Sequence, residues 1–93
     1  MIRLRLLSRP GCHLCEEMRR QVNAILAGQL RSWEELDVDS DRELASRYGD
    51  SIPVLFVNGR LFAKVRLPRL AAALRLRRAA GQQGPGSNVQ GPK

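Results

Sequence analysis

The chain has 93 residues, of which 43% are hydrophobic and 27% are charged, a composition typical of one soluble globular domain. No stretch approaches the roughly 18 apolar residues that a membrane span needs, which excludes an integral membrane protein. Lys and Arg outnumber Asp and Glu by 16 to 9, so the net charge of +7 permits an acidic partner but does not require one. Arginines interrupt the first apolar residues, so no signal-peptide core forms and we expect a cytoplasmic protein.

The chain has two cysteines and one histidine, all in the segment Cys12-His13-Leu14-Cys15. A secreted disulfide scaffold would need more cysteines, and one chain offers too few ligands for a structural zinc site of its own. A zinc or iron–sulfur site shared between two chains stays open, because each chain would lend a pair of thiolates. Disulfides in the cytoplasm are usually catalytic or transient, so the pair is the first candidate for function.

The first half of the chain predicts two strands that alternate with two helices. Residues 2–7 alternate apolar side chains with arginines and predict a strand. The apolar residues of segment 12–28 fall within one arc of a helical wheel, which predicts an amphipathic helix. Residues 34–38 predict a second strand, and the capping box at 40–43 predicts a short helix that ends near Tyr48.

The second half predicts a hairpin followed by a last helix. Residues 54–57 form an apolar run, Asn58-Gly59 is a strong hairpin signal, and residues 60–65 predict the return strand. Pro68 suits the first turn of a helix. Three leucines are expected to pack inward from this helix: Leu67, Leu70 and Leu74.

The predicted order is therefore β-α-β-α-β-β-α, in one domain of residues 1–80. A right-handed helical crossover makes the first two strands parallel, and the hairpin makes the last two antiparallel. A small mixed sheet with helices on both faces results. Residues 81–93 are rich in Gly, Pro, Gln, Ser and Asn, which predicts a disordered tail.

The two cysteines differ in their predicted surroundings. Cys15 lies inside the apolar arc of the helix, whereas Cys12 lies at the first turn, where unpaired N–H groups and the helix dipole stabilise a thiolate. Cys12 is thus placed to attack a disulfide and Cys15 to resolve the product, although two inert thiols would show the same spacing. A protonated His13 would stabilise the thiolate further, and the alternative is a solvent-facing side chain without a task. Arg9 is a second candidate cation.

Several segments together resemble a glutaredoxin-like protein of the thioredoxin superfamily, and most closely the small bacterial-type group. The segments are Leu7–Cys15, Leu36–Asp39, Tyr48-Gly49, Ile52–Val54 and Asn58-Gly59. The resemblance covers about residues 2–78. Two positions depart from the family pattern: His13 stands where Pro is usual, and residues 63–66 stand where a Gly-Gly pair is usual.

The resemblance implies a thioredoxin-like fold, with a four-stranded mixed sheet in the order 2-1-3-4 and three helices. It implies that Cys12 is the nucleophile and Cys15 the resolving thiol. It also implies a cis peptide before Pro53, beside Cys12, although X-Pro statistics alone favour trans. Ile52 would then offer backbone hydrogen bonds to an extended substrate, and Arg9 would face the thiolate and glutathione.

These inferences together predict a monomeric thiol–disulfide oxidoreductase that acts on a disulfide of a protein or a small thiol. Cys12 and Cys15 are the predicted catalytic residues. The predicted substrate-binding residues are Arg9, His13, Ile52 and Pro53. We expect no metal and no resident cofactor. Glutathione enters as a potential co-substrate, and whether it or a thioredoxin-type reductase supplies electrons stays open.

The alternative function is a redox-inactive adaptor that binds an acidic protein or nucleic acid. Residues 60–78 contain seven Lys or Arg and no acid, which is the feature that supports this alternative. The arginines of the last helix spread around its wheel, so a solvated face is the simpler explanation, and we do not expect nucleic-acid binding.

The composition of the tail gives a first prediction. Because it lacks the apolar residues for a core, truncation after Ala80 should leave the melting temperature within about 2 °C of that of the full chain. Thermal unfolding followed by circular dichroism tests this. A fall of about 5 °C, roughly 1 kcal/mol for a chain of this size, would show that the tail packs.

Overall fold

The computed structural model describes residues 1–81, which form the predicted sequence of strands and helices. Its elements are β1 (Ile2–Ser8), α1 (His13–Ile25), β2 (Arg31–Asp37), α2 (Arg42–Tyr48), β3 (Val54–Val57), β4 (Arg60–Lys64) and α3 (Arg69–Gly81). Within residues 1–81 no helix is long and apolar enough to cross a membrane. Gly81 belongs to α3, and the rest of the predicted tail lies outside the described residues.

The four strands form one mixed sheet in the order β2-β1-β3-β4, which confirms the expected thioredoxin-like fold. Strand β1 is parallel to β2 and antiparallel to β3, and β3 is antiparallel to β4. The hairpin turn has positive φ at both central residues, 52° at Asn58 and 85° at Gly59. This is the backbone that a tight hairpin turn requires, and Asn and Gly adopt it more readily than other residues.

The central strand β1 is buried along one face, whereas its other face is buried only at Leu7, because Arg3 and Arg5 on that face are exposed. Its residues Leu4 and Leu6 belong to the larger core cluster, together with residues of α1 and α3. Its residue Leu7 points the other way and packs with Val38 and Val54, near α2. Successive side chains of a strand point to opposite faces, so α1 and α3 share one side of the sheet and α2 lies on the other.

The predicted packing of α3 is wrong for two of its three leucines. Leu67 is buried, as expected, but Leu70 is 84% exposed and Leu74 is 67% exposed. The buried residues of the helix are instead Ala72 and Leu76.

The beginning of α3 explains this difference. The wheel that placed the leucines together counted Leu67 as helical, but α3 begins at Arg69, after Pro68. Leu67 is therefore buried from the loop before the helix. Its position does not determine which face of α3 is buried. The buried face is instead set by Ala72 and Leu76, four residues apart on the helix, so Leu70 and Leu74 turn outward.

The boundary between β2 and α2 also differs from the prediction. Strand β2 ends at Asp37. The buried residue Val38 therefore belongs to the 3₁₀ turn that follows and not to the strand. The cap of α2 is Asp41 and not Ser40: its Oδ1 accepts the backbone N–H of Glu43 at 2.8 Å. The Ser40 hydroxyl donates to the Asp37 carbonyl at 2.7 Å and closes the 3₁₀ turn.

The two leucines of α3 provide a matched test of its orientation. Leu76→Ala should lower the free energy of unfolding by about 2–5 kcal/mol, because it removes a fully buried side chain. Leu74→Ala should change it by less than about 0.5 kcal/mol, because that side chain lies mostly in solvent. Urea unfolding of both variants measures the two values. Equal losses would contradict the observed rotation of α3.

Candidate active site

The two cysteines lie at the beginning of α1, immediately beyond the carboxyl end of β1. The turn that joins these elements contains Gly11 at φ 79°, a conformation in which side chains are strained. The backbone N–H of Cys12 donates to the Arg9 carbonyl at 3.2 Å and closes this turn. The turn at residues 9–12 therefore places Cys12 at the beginning of the helix in a defined backbone conformation.

Cys12 acts as the N-cap of α1. Its backbone is extended, with φ −88° and ψ 108°, and its Sγ accepts the backbone N–H of Cys15 at 3.1 Å. Its carbonyl accepts the N–H of Glu16 at 3.2 Å, which is the first backbone hydrogen bond of the helix. The sulfur thus occupies the position that a Ser or Asp oxygen holds in an ordinary cap. The same N–H groups and helix dipole are available to a thiolate.

A disulfide joins Cys12 and Cys15, whose Cα atoms are 5.2 Å apart. Cys12 is partly exposed, and Cys15 is only 1% exposed, as the helical wheel predicted. Solvent and substrate can therefore reach the first sulfur, while the second is shielded by the core. His13, between them, is exposed at the first helical turn, and no hydrogen bond or ion pair involving it is found in residues 1–81.

Arg9 makes a contact that the sequence did not reveal. Its Nε and Nη2 donate to the Asp39 carboxylate at 2.7 and 3.0 Å, in a bidentate pair. This hydrogen bond holds the pKa of Asp39 below its usual value. Asp39 lies in the 3₁₀ turn after β2, so the pair ties the turn before Cys12 to the neighbouring connection. The guanidinium is thus engaged with a protein carboxylate.

The Ile52–Pro53 peptide bond is cis, and Pro53 is fully buried. The residue after it, Val54, lies opposite Leu7, near the carboxyl end of β1, so this loop and the cysteines share one end of the sheet. The Pro53 carbonyl accepts the N–H of Val65 at 2.7 Å. No hydrogen bond to the backbone of Ile52 occurs within residues 1–81, and Ile52 is partly exposed.

Sequence reasoning missed the conformation of Val65. This residue has φ 67°, in the left-handed region that strains a β-branched side chain. The signal was the departure at residues 63–66, where the family usually has glycines. Val65 lines a small cleft of about 140 Å³ between α1 and the loop before α3, together with Leu14, Glu17 and Arg66.

Glu35 of β2 fixes the position of α1 on the sheet. Its carboxylate accepts hydrogen bonds from the Arg19 guanidinium, the Ser8 hydroxyl at 2.8 Å and the Trp33 indole at 3.3 Å. These bonds, with that from Arg19 the largest, lower the pKa of Glu35. Arg19 belongs to α1 and Ser8 ends β1, so one carboxylate connects the cysteine-bearing helix to both parallel strands.

Within residues 1–81 no group of three or more His, Cys, Asp and Glu side chains is placed to hold a metal ion. The two sulfurs at this end of the sheet are joined in the Cys12–Cys15 disulfide. Around them lie exposed polar side chains and the backbone of the Ile52–Pro53 loop.

A 2-1-3-4 sheet with a disulfide at the beginning of its first helix is the arrangement of the thioredoxin-like fold. The glutaredoxin-like domain family (DUF836) matches residues 3–75. This match covers most of the chain, and the protein belongs to that family. No curated protein matches the chain.

Solved structures agree with this assignment. Protein Ne2328 from Nitrosomonas europaea is 29% identical, with a TM-score of 0.65, and the match covers 72% of this chain and 81% of that one. The protein XcR50 from X. campestris is 34% identical, with a TM-score of 0.60 and coverage of 77% and 95%. The N21Q mutant thioredoxin from Halobacterium salinarum NRC-1 is 23% identical, with a TM-score of 0.55 and coverage of 85% and 74%, which shows the shared fold alone.

The Glu35 cluster leads to a pH-dependent prediction. Because the pKa of Glu35 is lowered in the folded state, its stabilisation is complete above the unfolded-state pKa and disappears as the pH falls through the folded-state pKa. At pH 7, Glu35→Gln should therefore lower the free energy of unfolding by about 1 kcal/mol. In acid, below the folded-state pKa, the variant and the parent should converge. Urea unfolding across this pH range measures the difference.

Glu34→Gln is the matched control. Glu34 neighbours Glu35 on β2, but its ion pair with Arg5 is exposed, with side-chain exposures of 53% and 55%. Exposed pairs contribute little, so this variant should lose less than about 0.5 kcal/mol at pH 7. A loss for Glu35→Gln that is as large in acid as at pH 7 would contradict the role of the ionised carboxylate.

Proposed function

We propose that the protein is a thiol–disulfide oxidoreductase that reduces disulfides of proteins or small thiols through Cys12 and Cys15. The observation that supports this proposal is the asymmetry of the pair. Cys12 is accessible and caps a helix, whereas Cys15 is buried and bonded to it. Membership of the glutaredoxin-like family fits the same redox role.

The reaction begins with the reduced pair. The Cys12 thiolate attacks one sulfur of a substrate disulfide, so an S–S bond forms to Cys12 and the other substrate sulfur leaves as a thiolate, which takes a proton from water. Cys15 then loses its proton and attacks Cys12 Sγ. The Cys12–Cys15 bond forms, and the second substrate sulfur leaves. The substrate gains two electrons, and the pair loses two.

The Ile52–Pro53 loop is the proposed docking site for the substrate backbone. The N–H and C=O of Ile52 make no hydrogen bond within residues 1–81, so they are available to an extended segment that carries the disulfide. Pro53 is buried and holds Val65 through its carbonyl, which orients this loop. His13, exposed beside Cys12, lies where a substrate would contact it.

Arg9 has a different proposed role from the one that the family resemblance implies. Because its guanidinium binds Asp39 in two hydrogen bonds, Arg9 orients the turn that leads to Cys12. We therefore propose Arg9 as a positioning residue.

The Cys12–Cys15 disulfide is returned to two thiols by thiol–disulfide exchange with a reductant. Two glutathione molecules, or one dithiol of a reductase, supply the two electrons and are themselves oxidised to a disulfide.

The division of labour between the cysteines gives a direct test. Cys15→Ser, incubated with glutathione disulfide, should accumulate a mixed disulfide on Cys12, because no thiol remains to resolve it. Cys12→Ser should accumulate none, because Cys15 is buried. Intact-protein mass spectrometry under non-reducing conditions detects the adduct.

Two outcomes would contradict the proposal. Equal trapping by both variants would refute the assignment of Cys12 as the attacking thiol. A parent protein that keeps two alkylatable thiols after exposure to glutathione disulfide would have no redox-active pair, and the adaptor alternative would then stand. Acid quenching before alkylation prevents exchange during the measurement.

A further inference from the structure

A groove between β4 and α3 carries three arginines. Arg60 and Leu61 of β4 line one side, and Arg75 and Arg78 of α3 line the other. The groove has a volume of about 600 Å³, enough for several side chains of a ligand. The hairpin residue Asn58 lies at one end of it.

The arginines of this groove form no ion pair within residues 1–81. Within residues 1–81, four ion pairs are found, and all of them use arginines from the first half of the chain: Arg5, Arg9, Arg19 and Arg47. Neither Asp nor Glu occurs in the sequence after Asp50. The groove therefore presents positive charge that no ion pair within residues 1–81 neutralises.

The side chains of the groove are partly pre-positioned. The Arg75 guanidinium lies 4.4 Å from the centroid of the Phe62 ring, a cation–π contact that holds it at the groove wall. Leu61 is 49% exposed and adds an apolar contact. A ligand with carboxylates and at least one apolar side chain matches this surface in charge and in hydrophobicity.

Strand β4 favours an extended ligand. It lies at the edge of the sheet and pairs only with β3, so its outer edge is a template for another strand. Both ends of β4 are basic, Arg60 and Lys64. We propose that this groove binds an extended acidic segment of another protein, which lies along β4 and places carboxylates on Arg60, Arg75 and Arg78.

This site is distinct from the cysteine pair. Val57, at the groove end of β3, lies opposite Leu4, whereas Val54, next to Pro53, lies opposite Leu7 near the cysteine end of β1. The groove thus lies towards the end of the sheet remote from Cys12. Binding at these arginines uses none of the residues of the proposed thiol chemistry, so the two proposals can be tested separately.

Nucleic acid fits the groove less well than a peptide does. Single-stranded nucleic acids are held by bases that stack on aromatic rings, in addition to phosphate contacts. Phe62 is the aromatic residue of the groove, and Arg75 lies over its ring. Bases would therefore find no open ring there, whereas an acidic peptide uses the arginines and the strand edge.

The test uses a fluorescein-labelled peptide of alternating Glu and Val, about ten residues long, so that it can run past β4. Binding to the full chain is measured by fluorescence anisotropy. Arg78→Glu and Arg60→Glu should each weaken binding by about tenfold, because each replaces an attraction by a repulsion. Raising the salt concentration should weaken binding to the parent protein, because the groove is open to solvent.

Arg77→Glu is the matched control. It makes the same change in net charge on the same helix, but Arg77 is exposed on a different face and does not line the groove. It should weaken binding by no more than about twofold, because the charge lies farther from the ligand. Circular dichroism melts confirm that the variants fold, and mass spectrometry confirms that the Cys12–Cys15 disulfide still forms.

Several outcomes would overturn the proposal. If Arg77→Glu and Arg78→Glu weaken peptide binding equally, the net charge alone attracts the peptide. If the peptide does not bind the parent protein, the proposed binding site is refuted. The same measurement is made with oligothymidylate and with phosphatidylserine vesicles. If either binds more tightly than the peptide and is equally weakened by Arg78→Glu, the groove binds that ligand and not an acidic segment. Self-association abolished by Arg78→Glu in analytical ultracentrifugation would identify a second copy instead.

Discussion

The hydrogen bond from the Cys15 backbone N–H to Cys12 Sγ is the contact on which the site depends. A helix begins with N–H groups that have no partner inside it, and α1 satisfies one of them with sulfur. The same bond fixes the separation of the two cysteines and places the reactive atom in the positive field of the helix end. Helix formation and thiol chemistry thus use one set of donors.

The rest of the molecule holds this helix end in place. Strand β1 ends at Ser8, and Glu35 links that residue and Arg19 of α1 through one carboxylate. On the other side, the Pro53 carbonyl holds Val65 in a left-handed conformation. Such strain persists only where the surroundings determine the backbone, and it occurs here beside the cysteine end of the sheet.

Charge is distributed unevenly along the chain. All nine acids lie in the first fifty residues, where eight arginines nearly balance them, and the rest of the chain has eight Lys or Arg and no acid. In the first half, carboxylates orient structural arginines such as Arg9 and Arg19. In the second half, none of the ion pairs within residues 1–81 involves the arginines of the β4–α3 groove.

The sequence alone determined the order of the elements, the hairpin at Asn58-Gly59 and the exposure difference between Cys12 and Cys15. These features depend on turn chemistry and helical periodicity, which act between near neighbours. Only the tertiary structure decided the rotation of α3, the left-handed Val65 and the pairing of Arg9 with Asp39, thirty residues away. Each of these depends on how distant segments meet: Ala72 and Leu76 of α3 join a core shared with β1 and α1, and the folded turn brings Asp39 to Arg9. Sequence patterns over a few neighbouring residues do not show how segments far apart in the chain will meet.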